Sequence, residues 1–257
     1  IDPARTAFPA YAQLPHLLTP VVTDSRKAIF ALRWAIVEMN RRYKLLLRYG
    51  VRSLADLNRR VDAPAPNCEN PTAKLPHIVI AIDALEALMH ETKDDIEPAI
   101  AALASKAHGV GIHLLIATQS PTTDVLTATL KANLPGRLAL RVPTVAASRA
   151  ILEAPGAELL SGTGDLLLKR VPQACDAHAS LESLFGDPSA DEGKDGQVRG
   201  EVEAPLHAQA AWLDETEVAE LCAFIREQDD TTFDATLTDA LARLPEESAS
   251  HPKGNTL

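Results

Sequence analysis

Two apolar runs in this chain end in side chains that can do chemistry. His77-Ile78-Val79-Ile80-Ala81-Ile82 closes on Asp83, and Ile112-His113-Leu114-Leu115-Ile116-Ala117 closes on Thr118-Gln119. An apolar run without alternation suits a parallel strand buried on both faces. In open parallel sheets, ligands collect at the carboxyl ends of the strands. An acid there is the Walker B arrangement, in which a carboxylate holds the Mg2+ of a bound nucleotide, usually through water. A glutamine ending the neighbouring strand can sense a γ-phosphate or orient the attacking water. Asp83 can equally cap the helix that follows, because aspartate accepts from the free N–H groups of a helix start. The local pattern leaves both roles open.

The elements that must position these groups are legible in outline. Residues 24–49 read as a helix capped by Asp24, with Ile29, Leu32, Ile36, Met39, Tyr43 and Leu46 inward at three-to-four spacing. Its polar face carries Arg26, Lys27, Arg33, Arg41, Arg42, Lys44 and Arg48, which fits a solvated face or a DNA contact. A short helix over 53–61 and a proline-rich loop over 62–74 precede the first strand. A helix over 93–108 leads to the second strand, and one over 122–132 leads to a third, Arg137–Val142. Residues 146–153 are helical, and Gly164–Leu168 is a fourth strand. Alternating strands and helices mean an α/β fold with a mostly parallel sheet. A helix over 215–227 turns Val218, Leu221 and Ile225 inward.

Composition divides the chain. It has 257 residues and a net charge of −10, but the charge is uneven. Residues 1–175 hold 20 Lys+Arg against 16 Asp+Glu, a net of +4; residues 176–257 hold 5 against 19, a net of −14. The overall acidity therefore does not exclude a polyanionic partner for the body. The expected organisation is a body over 1–175, a flexible acidic insertion over 176–204, a last strand and helix over 205–228, and an acidic, largely disordered tail over 229–257. No apolar run approaches the ~20 residues that span a bilayer, and no signal peptide is visible. Cys68, Cys175 and Cys222 are far apart and odd in number, against a disulfide framework or zinc site and in favour of a reducing compartment. The first residue, Ile1, suggests a processed chain or a piece of a longer one.

Longer words carry a resemblance. LPHIVIAID, KAHGVGIHLLIATQSP, LKANLPGRLALRV, SRAIL and GAELLSGTGDLLL follow IDPAR, LPHLLTPVVTD and ALRWAIVEMNRRYKLLLRYGVRSL in order. Together they resemble the motor domain of the FtsK/SpoIIIE DNA translocases, over about residues 1–172 and again over 206–228. The resemblance implies a RecA-like P-loop NTPase core, here lacking the P-loop strand and helix. It also implies ATP and Mg2+ as cofactors, a hexameric ring of copies, and double-stranded DNA gripped without sequence specificity. A bacterial cytoplasmic location follows, with any membrane tether lying upstream, and chromosome segregation and cell division are the associated processes.

Carried over residue by residue, Asp83 is the Walker B acid that holds Mg2+ through water, and Gln119 is the γ-phosphate sensor. The family's next residue is the glutamate that polarises the hydrolytic water, and here it is Ala84. Glu86 is nearby but is expected to point elsewhere from the strand–helix junction. The family's trans-acting arginine finger aligns with His108, and imidazole does not replace a guanidinium that bridges developing phosphate charge. Otherwise His108 is a solvated helix-end residue. The pore-facing arginine is Ser120, followed by Pro121, and a second pore-loop lysine position falls within Pro143–Ala147. Arg149 and Lys131 remain as contacts to the DNA backbone, or as surface ion pairs. Arg137 and Arg141 flank a strand and suit a subunit interface or a structural role. The phosphate-cradling G-x-x-x-x-G-K-S/T loop occurs nowhere in the sequence and would lie upstream of Ile1.

The expected function is therefore an ATP-dependent double-stranded DNA translocase motor, here a fragment with impaired catalysis. The alternative is a degenerate, non-catalytic paralogue acting as a structural or regulatory ring subunit. Changes at positions 84, 108, 120 and 145 favour the alternative for catalysis. No counterpart of the family's sequence-reading winged-helix module is present, because residues 229–257 are too short and too acidic.

Overall fold

Asp24 sets the start of the longest helix in a computed structural model that describes residues 1–64, 69–169, 205–228 and 233–244. The expected insertion over 176–204, the tail beyond 244, Cys68 and Cys175 lie outside the described residues. The chain forms two compact units, Ile1–Asn133 with the residues from Leu213 onward, and Leu134–Trp212.

In the first unit, α1 (Ser25–Tyr49) begins where the Asp24 carboxylate accepts from the N–H groups of Arg26 and Lys27, and it ends at Gly50, at φ 62°. Left-handed backbone of this kind is where glycine carries no steric cost. The buried stripe runs through Ala28, Leu32, Ala35, Met39, Arg42 and Leu46. Tyr43, expected inward, is exposed, and its hydroxyl donates to the Lys106 carbonyl at 2.6 Å. The stripe turns by one residue because it is Arg42 that finds partners inside. α2 (Leu54–Asp62) is capped by Ser53 and buries Leu54 and Leu57.

The strand β1 (Ile78–Ile82) and the strand β2 (Ile112–Ile116) pair in parallel, with Ile78 opposite Ile112 and Ile82 opposite Ile116. Between them runs α3 (Leu85–Lys106), longer than the expected 93–108 because a first segment precedes a break at Thr92, at φ −141°. Thr92 returns its hydroxyl to the Leu88 carbonyl at 3.1 Å, and Pro98 removes a backbone donor one turn further on. α3 packs on α1 and carries Leu85, Leu88, Ile96, Ile100 and Leu103 into the core. A 3-10 turn over Ala107–Val110 connects it to β2. α4 (Ala128–Asn133) covers only the last part of the helix expected over 122–132.

After the second unit, α6 (Glu215–Arg226) and α7 (Ala235–Ala242) rejoin the first. α6 buries Cys222 and leaves Leu221 49% exposed, so its inward face is one residue later than expected. α7 lies within the acidic tail expected over 229–257, packs on α1, and buries Leu237 and Leu241.

The second unit departs from a continuous parallel sheet. β3 (Arg137–Ala139), β4 (Asp165–Lys169) and β5 (Leu206–Gln209) form an antiparallel sheet in the order β3-β4-β5. Between β3 and β4 lie α5 (Val145–Leu152) and a 3-10 turn over Ala157–Leu159. The core here joins Ala139, Leu152, Ala157 and Leu160, with Ile151 and Leu167 against them.

Arg137 resolves as a structural residue of this unit. Its guanidinium donates to the Leu134 and Ile151 carbonyls and, at 2.9 Å, to the Glu153 carboxylate. Lys169 pairs with the other oxygen of Glu153. Lys169 first, and then Arg137, hold the Glu153 carboxyl well below its ordinary range, at about 2. A carboxylate depressed on folding contributes stability above its unfolded value and loses it as pH falls toward the folded value. The second unit is therefore expected to lose stability between pH 4.5 and about 2. Glu153→Gln should flatten that limb of an acid-unfolding curve followed by circular dichroism.

Candidate functional site

Three backbone hydrogen bonds build the carboxyl end of the β1–β2 pair. Ala117 donates to Ile82 at 2.8 Å, Leu85 donates to Ala117 at 3.1 Å, and Asp83 donates to Ile1 at 3.0 Å. Asp83 is thereby fixed between Ile1 and Ala117, with Thr118, Gln119 and Ser120 immediately beyond. Asp83 is part-exposed, while Gln119 and Ser120 are exposed. The capping role for Asp83 falls away, because Ala84 is the N-cap of α3 and makes no side-chain cap.

Ala84 is buried at 9% exposure and sits in left-handed backbone, at φ 52° and ψ 54°. A residue with a Cβ costs roughly 1–2 kcal/mol more there than in the right-handed region. The residue after the acid is thus held in one orientation, and it presents a methyl group where a base would stand.

Glu86 corrects an expectation. From the first turn of α3 its carboxylate reaches across to accept from the Thr118 hydroxyl at 2.6 Å, and Thr118 in turn accepts from the Ser120 N–H at 3.2 Å. Left-handed Ala84 turns the chain sharply, so the first helical turn faces the neighbouring strand end. No residue pattern announced that turn, since alanine is not a residue that favours it.

The other expected residues lie elsewhere. His108 is exposed on the 3-10 turn before β2, at the amino end of the same strand pair, with its ring centroid 5.2 Å from that of His113. Lys131 lies on α4. Arg149 is exposed on α5, in the second unit. The cations of α1 are mostly engaged with acids. Arg33 meets Asp95 at 2.6 Å, Arg41 meets Glu38 at 2.6 Å, and Arg48 meets Glu69.

Arg42 is the functional surprise of α1. It is 3% exposed, donates to Glu38 at 2.8 Å, and donates to the carbonyls of Pro76 at 2.9 Å and Val110 at 3.0 Å. It thus ties the approaches to both β1 and β2 to one helix, and so helps align the two strand ends. An arginine among other cations on a helix gave no signal of this burial.

The chemistry that fits this end is limited. Mg2+ keeps most of its waters and takes one or two carboxylates, so a part-exposed Asp83 suits it. The exposed Gln119 amide suits a phosphate oxygen. Among the described residues, no group of three or more His, Cys, Asp or Glu side chains is arranged to hold a metal ion directly. No phosphate-cradling loop is supplied by the sequence.

The parallel pair, its strand-end acid and the flanking helices define the RecA-like α/β core of P-loop ATPase motor domains. Solved structures with this fold include the pCW3 conjugation coupling protein TcpA with ATPgS, at TM-score 0.58 and 21% identity, covering 80% of this chain and 51% of that one. The cytoplasmic domain of the type VII secretion ATPase EccC of Thermomonospora curvata matches at TM-score 0.56 and 21% identity, over 93% of this chain and 23% of that one.

The chain belongs to the FtsK/SpoIIIE family, whose model matches residues 1–123. It is 46% identical over 180 residues to DNA translocase FtsK 2 of Ralstonia nicotianae, covering 65% of this chain and 23% of the relative. It is 35% identical over 234 residues to DNA translocase FtsK of Lactococcus lactis, covering 91% of this chain and 27% of the relative. The chain thus spans about a quarter of the length of these relatives. Among the described residues, no helix is long and apolar enough to cross a membrane.

Proposed function

We propose that this chain is part of an FtsK/SpoIIIE-type motor subunit that works in a hexameric ring around double-stranded DNA and contributes structure or regulation rather than rapid ATP hydrolysis. The observation that carries this reading is the buried methyl of Ala84 directly after Asp83. ATP with Mg2+ supplies the phosphoanhydride chemistry of such motors. On this side of the nucleotide, Asp83 would hold the metal through water and Gln119 would face the γ-phosphate. Ala84 offers no lone pair to take a proton from water. His108 is a poor substitute for a guanidinium, because an imidazole lacks the planar fork of donors that spans phosphate oxygens.

A second reading has one observation in its favour. Glu86 is brought to Thr118, beside Gln119, and could serve as a displaced base. The two readings separate in a chimera carrying a relative's phosphate-loop strand and helix ahead of Ile1. Measured phosphate release that is substantial and lost in Glu86→Gln supports the second; release near background supports the first.

DNA contact rests on fewer cations than the family pattern, with Ser120 exposed where an arginine would face the pore. Arg149 remains available on α5. Binding to duplex DNA is expected to be weak and salt-dependent. Arg149→Ala should weaken it for all sequences alike and reduce the slope of log K against log salt by about 0.9, as read by fluorescence anisotropy. Cytoplasmic action in chromosome segregation or cell division is the biological setting the relationship suggests.

A further inference from the structure

We infer that His77, His108 and His113 form a surface site for a divalent transition-metal ion of the zinc, nickel or copper class. The three rings stand side by side at the amino ends of β1 and β2. His77 Nδ1 and His113 Nε2 are 3.1 Å apart, with the two rings stacked at a centroid distance of 5.3 Å. A tetrahedral ion holding nitrogens at 2.0–2.1 Å separates two of them by about 3.3 Å, so the pair opens by only a few tenths of an ångström to admit one. His108 stands edge-on to His113 at 5.2 Å between centroids. As placed, the three do not form a finished cage among the described residues. The pair is the preformed part, and the exposed His108 ring completes it by turning about its side-chain bonds.

The backbone beneath the pair is rigid. His77 directly precedes β1, His113 lies within β2 opposite Val79, and Ile78 donates to the Gly111 carbonyl at 2.9 Å. Gly111 is at φ 73°, and a Cβ there would lie 3.2 Å from His77 Nδ1 and 2.1 Å from Leu54 Cδ2. Glycine therefore leaves the room in which the His77 ring sits. Burial first, and then the neighbouring His108 and His77, hold the His113 imidazole below its ordinary value. An all-imidazole donor set selects zinc, nickel or copper over magnesium or calcium. Asp83 is six residues further along the chain, ~20 Å at the rise of extended backbone, so this site is separate from the nucleotide-facing end. A bound ion would tie the starts of both strands to the turn that closes α3.

The test is calorimetric titration of the chain with Zn2+, with thermal unfolding measured in parallel. The expected result is one ion bound per chain, a rise in Tm with Zn2+ and none with Mg2+, and at least a tenfold (about) loss of affinity in His77→Gln and in His108→Gln. Both residues are exposed, so these variants keep the fold, and His90→Gln on the exposed face of α3 should change nothing. Unaltered Zn2+ affinity in the His77→Gln/His108→Gln double variant would overturn the site and leave a plain imidazole–imidazole hydrogen bond.

Discussion

Replacing Ala84 by glutamate is expected to raise DNA-stimulated ATP turnover by about 10²–10⁴-fold, the range a positioned general base contributes. The setting is the same chimera, in which a relative's phosphate-loop segment precedes Ile1. The expectation rests on where position 84 sits. It follows Asp83 at the carboxyl end of β1, and the bonds from Asp83 to Ile1 and from Leu85 to Ala117 fix the backbone on either side. Position 84 already adopts left-handed backbone, so glutamate adds no conformational penalty that alanine does not carry. The larger side chain must leave the buried pocket of the methyl toward the strand end, where a water attacking a γ-phosphate would lie. Adding His108→Arg should raise turnover further, and only in rings, because a finger acts across a subunit boundary. An unchanged rate in a variant whose Tm is preserved would show that position 84 is not where the base is missing.

Arg42→Ala is expected to cost about 3–5 kcal/mol of unfolding free energy, measured by urea titration followed by circular dichroism. The side chain is 3% exposed and holds one carboxylate and two carbonyls. Removing it strands the Pro76 and Val110 carbonyls and half of the Glu38 pairing in a closed environment, which costs far more than an exposed ion pair of the kind Arg33 makes with Asp95. Arg33→Ala should accordingly stay within about 1 kcal/mol of the unmodified chain. Arg42→Lys keeps the charge but not the fork that spans three acceptors, and should recover only part of the loss.

The strand-end site was legible because the apolar runs of β1 and β2 mark the residue that ends each, although Val79 and Leu115 are 64% and 65% exposed, so the pair is not buried on both faces as the runs suggested. The start of α1 was legible at Asp24 for the same kind of reason, a side-chain oxygen placed before an apolar-periodic segment. What stayed hidden depends on contacts distant in sequence. Tyr43 and Arg42 exchange faces because the carbonyls of Pro76 and Val110 wait inside. Leu221 yields the inward position to Cys222, since both satisfy helical spacing and packing alone chooses. Glu86 meets Thr118 through a left-handed alanine that no propensity favours. The antiparallel pairing of β3, β4 and β5 is a choice of strand direction, which apolar runs do not encode.

The most direct measurement of the central claim is nucleotide binding and turnover compared in one preparation of the chimera, with duplex DNA present. Binding of a non-hydrolysable ATP analogue with Mg2+, lost in Asp83→Asn, is expected alongside phosphate release at least about 10²-fold below that of Ala84→Glu/His108→Arg. Equal release by the unmodified and doubly altered proteins would contradict the claim that the retained acid and the missing base define what this chain does.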